Sequence, residues 1–255
     1  AVPNATLGFP GRPANGGSNP RFYEFDDGVT RLVKWHPSSH GAKACYNELV
    51  ASRLGQLIGA PILRGGVVYV PDEIIPADHR PIGAVAGFHF GVTRMEGENF
   101  VPVQHYTEIE NTSELPFAAV HLAWLAVADQ EGHNQYLQRL EIRREGYPPA
   151  MTKRFKLVDM GQMFGGAAWT AASVSAVPPA YALPGHLAAK LTLEKLAAAI
   201  NAVKGLPAGA IQACFADCPD EWNIPADDKP SGAARAIAAA AQVEQIIRTG
   251  NPAIQ

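Results

Sequence analysis

Asp129 and Asn134 bracket the polar stretch Asp129-Gln130-Glu131-Gly132-His133-Asn134, which follows an apolar run, and Asp159-Met160-Gly161 lies further along the chain. Two carboxylates and a carboxamide are hard oxygen donors, suited to Mg²⁺, and a carboxylate can also orient a hydroxyl and take its proton. Phosphoryl transfer needs these parts: a nucleotide held by its phosphates, a divalent metal to offset their charge, and a carboxylate to position the accepting hydroxyl. Asp129 is then the catalytic candidate, and Asn134 and Asp159 the metal ligands. Taken singly, Asp129 also reads as a helix or turn cap, and Asp159-Met160-Gly161 as a strand-ending turn.

Three further features fall in a fitting order upstream. Asn15-Gly16-Gly17-Ser18-Asn19 lacks large side chains, so its backbone N–H groups could approach phosphate oxygens; Gly16, Gly17 and Ser18 are the candidates there. Lys34 closes a strand-like run, from which its ammonium could reach a phosphate, and Glu48 lies on the next helical segment, where it could hold that lysine by an ion pair. Each also reads as a solvated surface residue. Strand lysine, helix glutamate, Asp-x-x-x-x-Asn loop and Asp-x-Gly together follow the order of kinase catalytic elements, and it is the joint order that carries the reading.

The elements that must position these groups are legible in outline. Residues 21–25 and 29–35 read as a hairpin through the turn Asp26-Asp27-Gly28. Residues 44–58 place Leu49, Val50, Leu54, Leu57 and Ile58 at helical spacing, with Gly59 and Pro61 as stop signals, so an amphipathic helix is expected. Residues 67–70 and 84–90 read as strands that complete a small sheet. Helices are expected at 117–128, 187–203 and 233–248, with one short strand at 154–158 before Asp159. The expected fold class is α+β: a β-rich N-lobe with one helix over residues 1–95, and a mainly helical C-lobe over 96–255 carrying the catalytic and metal-binding loops.

Composition narrows the function classes. With 255 residues, 47% of them hydrophobic, the chain can bury a substantial core around a cleft. A net charge of −3 lacks the basic bias of a nucleic-acid binder, so no nucleic-acid partner is expected. Apolar runs are too short to span a bilayer, and residues 1–18 do not read as a signal peptide. No membrane insertion and a cytoplasmic location are therefore expected. Cys45, Cys214 and Cys218 are too few for a disulfide framework. Cys214 and Cys218 could share a helix face and bind a metal, but no second close ligand pair accompanies them, and His36 with His40 falls in the loop context of Pro37 and Ser-Ser-His-Gly, which reads as a solvated pair.

The block from Asn15-Gly16-Gly17-Ser18 through Leu32-Val33-Lys34 and Asn47-Glu48-Leu49-Val50-Ala51-Ser52-Arg53-Leu54 to Gly59-Ala60-Pro61 resembles the HipA-like kinases, related in fold to protein and phosphatidylinositol kinases. The resemblance implies a two-lobed kinase-like fold, ATP and Mg²⁺ as ligands, and a Ser or Thr hydroxyl, as of a protein, as acceptor. Gly87-Phe88-His89-Phe90-Gly91 resembles the segment linking the lobes, which implies that Phe88 and His89 line the adenine pocket. The family loop reads Asp-Arg-His-x-x-Asn, whereas here Gln130 and Glu131 follow Asp129, placing negative charge where a basic residue is usual. A small-molecule or lipid kinase of the same fold, and a nucleotide-binding scaffold without turnover, are the alternatives.

Overall fold

A computed structural model of the chain describes residues 1–6, 12–13, 19–98, 109–128, 132–143 and 145–254. Gly16, Gly17, Ser18 and Asp129 lie outside the described residues. The amino-terminal region is an antiparallel sheet of β1 (Arg12–Pro13), β2 (Arg21–Glu24), β3 (Thr30–Lys34), β4 (Gly65–Val70) and β5 (Gly87–Thr93), in the order β1-β2-β3-β5-β4. The expected hairpin is present, with Gly28 at φ 74° in its turn, a conformation that suits a residue without Cβ. Residues 84–90 contribute less than expected and residues 91–93 more, because the last strand begins only at Gly87.

Strand alternation divides the sheet's side chains. Val33, Val68, His89 and Tyr23 face a small core with Trp35 and Ile75, whereas Leu32 opposite Val92 and Lys34 opposite Phe90 share the other face. Against that other face lies α1 (Ala44–Ile58), whose bounds match the sequence expectation and whose end is marked by left-handed Gly59. The helix is less amphipathic than expected. Leu57 is exposed, while the polar Asn47, Glu48 and Ser52 are buried, because α1 is enclosed by the sheet and by the carboxy-terminal part of the chain.

The carboxy-terminal part is built on α2 (Leu115–Leu125), buried on nearly every side, with α3 (Gly185–Ala188), α4 (Leu193–Lys204) and α6 (Asp228–Gly250) packed on it and α5 (Ala208–Ala216) packed on α6 and α1. Trp124 Nε1 donates to the Ala236 carbonyl at 2.8 Å, tying α2 to α6. The helix expected at 187–203 is two helices, since the Thr192 side chain caps a new start by accepting from the Lys195 N–H. The apolar positions of α5, Ile211, Cys214 and Phe215, are too few to stand out along the sequence. A further sheet of β6 (Gly97–Glu98), β7 (Gln135–Ile142) and β8 (Ala150–Leu157) also departs from expectation, which held only a strand at 154–158. In β7 only Gln135 and Leu137 are buried, so it carries little apolar alternation to read.

The end of the chain reaches back to its beginning. Tyr46 OH donates to the Phe215 carbonyl at 2.8 Å, Arg53 to the Asp217 carbonyl at 2.7 Å, and Trp222 Nε1 to the Phe88 carbonyl at 2.8 Å. Lys43 at the start of α1 forms a buried ion pair with Asp228 at 2.8 Å and sits 4.7 Å from the Trp169 ring centroid. Among the described residues no helix is long and apolar enough to cross a membrane.

Two buried histidines give the fold a pH dependence. His89 Nδ1 accepts from the His36 N–H at 2.9 Å, so its Nε2 carries the proton donated to the Val85 carbonyl at 2.8 Å. His121 is wholly buried in α2. Burial lowers His89 from 6.5 to about 4 and His121 to about 3. Between the unfolded and folded values the unfolded chain binds more protons, so stability is full above the unfolded value and declines as pH falls. From about pH 7 to about pH 5 each ring is expected to cost about 2 kcal/mol. Urea midpoints across that range check this, and His89→Gln should remove the His89 share of the slope.

Candidate active site

The two sheets and α1 enclose a cleft of about 900 Å³. Its apolar wall is formed by Phe22, Leu32, Phe90 and Val92 of the first sheet, with Leu63 and Leu157 opposite. At one end stand Lys34, Glu48, Asn134 and Asp159, with His40, His133 and Gln162 nearby.

Lys34 is the centre of the polar end. Its ammonium donates to Glu48 Oε1 and, at 2.7 Å, to Asp159 Oδ1. The register that sets Lys34 beside Phe90 turns it into the cleft, and α1 presents Glu48 to it from behind. Asp159 follows β8 in a left-handed conformation, φ 56° and ψ 56°, which aspartate tolerates better than most residues. The next N–H, of Met160, donates to Glu48 Oε2 at 3.1 Å. Side-chain exposure is 6% for Glu48 and 54% for Asp159, so the glutamate serves to hold the lysine in place and the aspartate faces the open cleft.

The charges are unbalanced in an informative way. Burial lowers the Lys34 pKa, but Glu48 and Asp159 outweigh it and hold the ammonium above the ordinary lysine value. Its stabilising contribution is therefore complete below the unfolded lysine pKa and lost only above it. Lys34 in turn holds Asp159 below the usual carboxylate range, while burial, with Asp159 as a like-charged neighbour, pushes Glu48 up against the pull of Lys34. Two carboxylates share one ammonium, leaving negative charge on the exposed member.

Asn134 is buried beside Asp159, and its side-chain amide donates to the Asp159 carbonyl, leaving its side-chain oxygen as an acceptor at the cleft. The described residues on either side of 129–131 are anchored: Ala128 N–H donates to the Gln162 carbonyl at 3.0 Å, and the Asn134 carbonyl accepts from Val158 N–H at 2.9 Å. Asp129 lies between those anchors in sequence, outside the described residues.

Phe88 and His89 are placed differently from the expectation. His89 faces the opposite core against Trp35, at 4.9 Å between ring centroids, and Phe88 packs on Tyr69 at 5.1 Å. Neither lines the cleft; Phe90, Val92, Thr93, Arg94 and Met95 do so instead, because the segment is a sheet strand whose continuation leads out of the sheet. Nothing in the sequence pattern singles out Tyr136, whose hydroxyl reaches the Met95 carbonyl at 3.5 Å across the same cleft. His36 lies against Trp222 with ring centroids 5.6 Å apart and planes tilted by 34°, Cys214 donates within α5, and His186 bonds to Gln135 at 2.7 Å. Among the described residues no group of three His, Cys, Asp or Glu could hold a metal by itself.

The proinflammatory kinase CtkA of Helicobacter pylori matches 91% of this chain and 94% of its own, with a TM-score of 0.53 and 10% sequence identity. This chain has a kinase fold. The kinase-like α+β architecture expected from the sequence is thus the one observed. Two more distant matches are the Golgi casein kinase with Mn/ADP bound, at TM-score 0.47 and 8% identity over 99% of this chain and 74% of that one, and HipA of Shewanella oneidensis MR-1 in complex with HipB and operator DNA, at TM-score 0.42 and 11% identity over 88% and 59%. No family model and no curated protein matches the sequence.

Proposed function

We propose that this kinase-fold chain is an ATP- and Mg²⁺-dependent phosphotransferase that phosphorylates a Ser or Thr hydroxyl of a protein. The observation that carries the reading is Lys34 clasped between buried Glu48 and exposed Asp159 at the polar end of an apolar-walled cleft. The apolar wall suits a nucleobase, and Lys34 is placed to hold the phosphates that follow it. Gly16, Gly17 and Ser18 are assigned to the loop that covers those phosphates, and the division into lobes at residues 1–95 and 96–255 puts the cleft between them.

The residues present fit Mg²⁺. Asp159 carries surplus negative charge into the cleft, and Asn134 adds a neutral oxygen beside it. One carboxylate and one carboxamide are few ligands, which accords with an ion that takes its remaining oxygens from phosphates and water. Bound there, Mg²⁺ supplies charge neutralisation for the phosphates.

Asp129 is assigned to the acceptor. It takes the hydroxyl proton as the acceptor oxygen bonds to the γ-phosphorus, and the bond from that phosphorus to the bridging oxygen breaks to release ADP. The choice of a protein hydroxyl follows from the sequence resemblance.

The test is ATP consumption and transfer of labelled γ-phosphate with Mg²⁺, for the wild type and Asp129→Ala, with autophosphorylation followed by intact mass. The variant is expected to bind ATP as the wild type does and to lose roughly 10²-fold or more of its turnover. Wild-type protein that binds ATP without consuming it would favour a nucleotide-binding scaffold, in keeping with the negative charge of Glu131. Label appearing only on added small alcohols or lipid head groups would move the acceptor to that class.

A further inference from the structure

We infer that Asn47 is a positioning residue that locks the Asp159 loop to the Glu48 helix, so that the lysine partner and the metal-binding carboxylate move as one body. The inference rests on the phosphotransferase reading for its consequence, though not for its geometry. Asn47 is fully buried in α1, a place where a carboxamide is retained only when its hydrogen bonds are met. All of its side-chain bonding reaches out of the helix: Nδ2 donates to the Gly161 carbonyl at 2.7 Å and the Gly166 carbonyl at 3.3 Å, and Oδ1 accepts from Trp169 Nε1 at 3.0 Å.

The loop it grips has little regular structure of its own. Between Met160 and Gly166 the backbone passes through extended Met163 and left-handed Phe164 and Gly165, so the loop depends on outside partners to fix its path. The adjacent residue, Glu48, holds the Met160 N–H. Two consecutive side chains of one helix therefore grip the loop from both sides, one through an N–H and one through two carbonyls. The loop also packs directly on α1: a Cβ on Gly161 would lie 3.5 Å from Glu48 Oε1 and from the Ala44 carbonyl. Trp169 holds Asn47 in the orientation that aims its amide at the loop, and Lys43 braces Trp169 by donating to its carbonyl. A fully satisfied buried network of this kind fixes a single geometry more than it adds stability.

Asn47→Ala removes the grip. Asn47→Asp keeps the volume and the acceptor for Trp169 but replaces donation to two carbonyls with charge repulsion, and it carries the same test should the alanine variant not fold. Val243→Ala, a core truncation on α6, serves as the control for destabilisation alone. Hydrogen exchange of residues 160–166 is expected to quicken roughly tenfold in the Asn47 variants relative to the control. Half-saturation by Mg²⁺ in turnover is expected to rise roughly tenfold or more, with the KM for ATP changed less than about twofold. Segment exchange equal to that of the control, or Mg²⁺ half-saturation equal to that of the wild type, would overturn the inference. A wild-type protein that neither binds nor consumes ATP with Mg²⁺ would defeat the phosphotransferase reading, and exchange alone would then decide the role of Asn47.

Discussion

Asp159→Asn is expected to lower phosphate transfer by roughly 10³-fold, corresponding to several kcal/mol of lost charge stabilisation in the transition state. Asparagine keeps the shape of the side chain and can still accept from Lys34, so what disappears is the negative charge that faces the cleft. Because that side chain is 54% exposed, its ion pair with Lys34 is largely screened, and unfolding stability should change by less than about 1 kcal/mol. ATP binding without metal should persist, while the gain in affinity on adding Mg²⁺ should vanish. Turnover assays, Mg²⁺ titration and urea unfolding on the same preparation separate these effects. Turnover close to that of the wild type would show that the metal is held elsewhere.

Lys34→Met is expected to fail in both stability and activity. Glu48 would be left buried, with 6% of its side chain exposed and Asp159 as a like-charged neighbour, a condition that typically costs about 3 kcal/mol or more. On the proposed function, turnover should fall by roughly 10²-fold or more, since Lys34 is assigned to the phosphates. The two losses can be pulled apart by adding Glu48→Gln. The double variant no longer buries an unpaired charge and should regain most of the stability, yet it should stay inactive. A thermal or urea denaturation cycle over the four proteins measures the coupling. If the double variant is no more stable than Lys34→Met, the ion pair is not what holds α1 in register.

The residues of this cluster are legible in the sequence because they are chemically conspicuous and fall in a recognisable order, although the structure brings Lys34 to Asp159 across 125 positions. The end of α1 is legible because Gly59 supplies the left-handed stop that a helix end favours. Other features are hidden for physical reasons. Read as a connection between lobes, the segment of Phe88 and His89 places both at the cleft; as a strand it alternates, which sends His89 to the opposite face and leaves the cleft to Phe90 and Val92. Asn47 resembles, in sequence, any polar residue on a helix surface, since its partners at 161, 166 and 169 are tertiary. The strand β7 carries too few buried apolar residues to announce itself.

The packing of residues 214–228 against residues 43–88 has a consequence for biosynthesis. Tyr46, Arg53 and the Phe88 carbonyl find partners in residues 214, 215, 217 and 222, and Lys43 finds Asp228 later still. A nascent chain emerges amino-terminus first, so its sheet strands are on hand well before the residues that seal α1 onto them. Until α5 and the turn carrying Trp222 leave the ribosome, Tyr46 and the other core residues of α1 lack part of their cover. The Lys34–Glu48 pair, made entirely from early residues, is therefore set in its final place only after residues 214–228 have been synthesised.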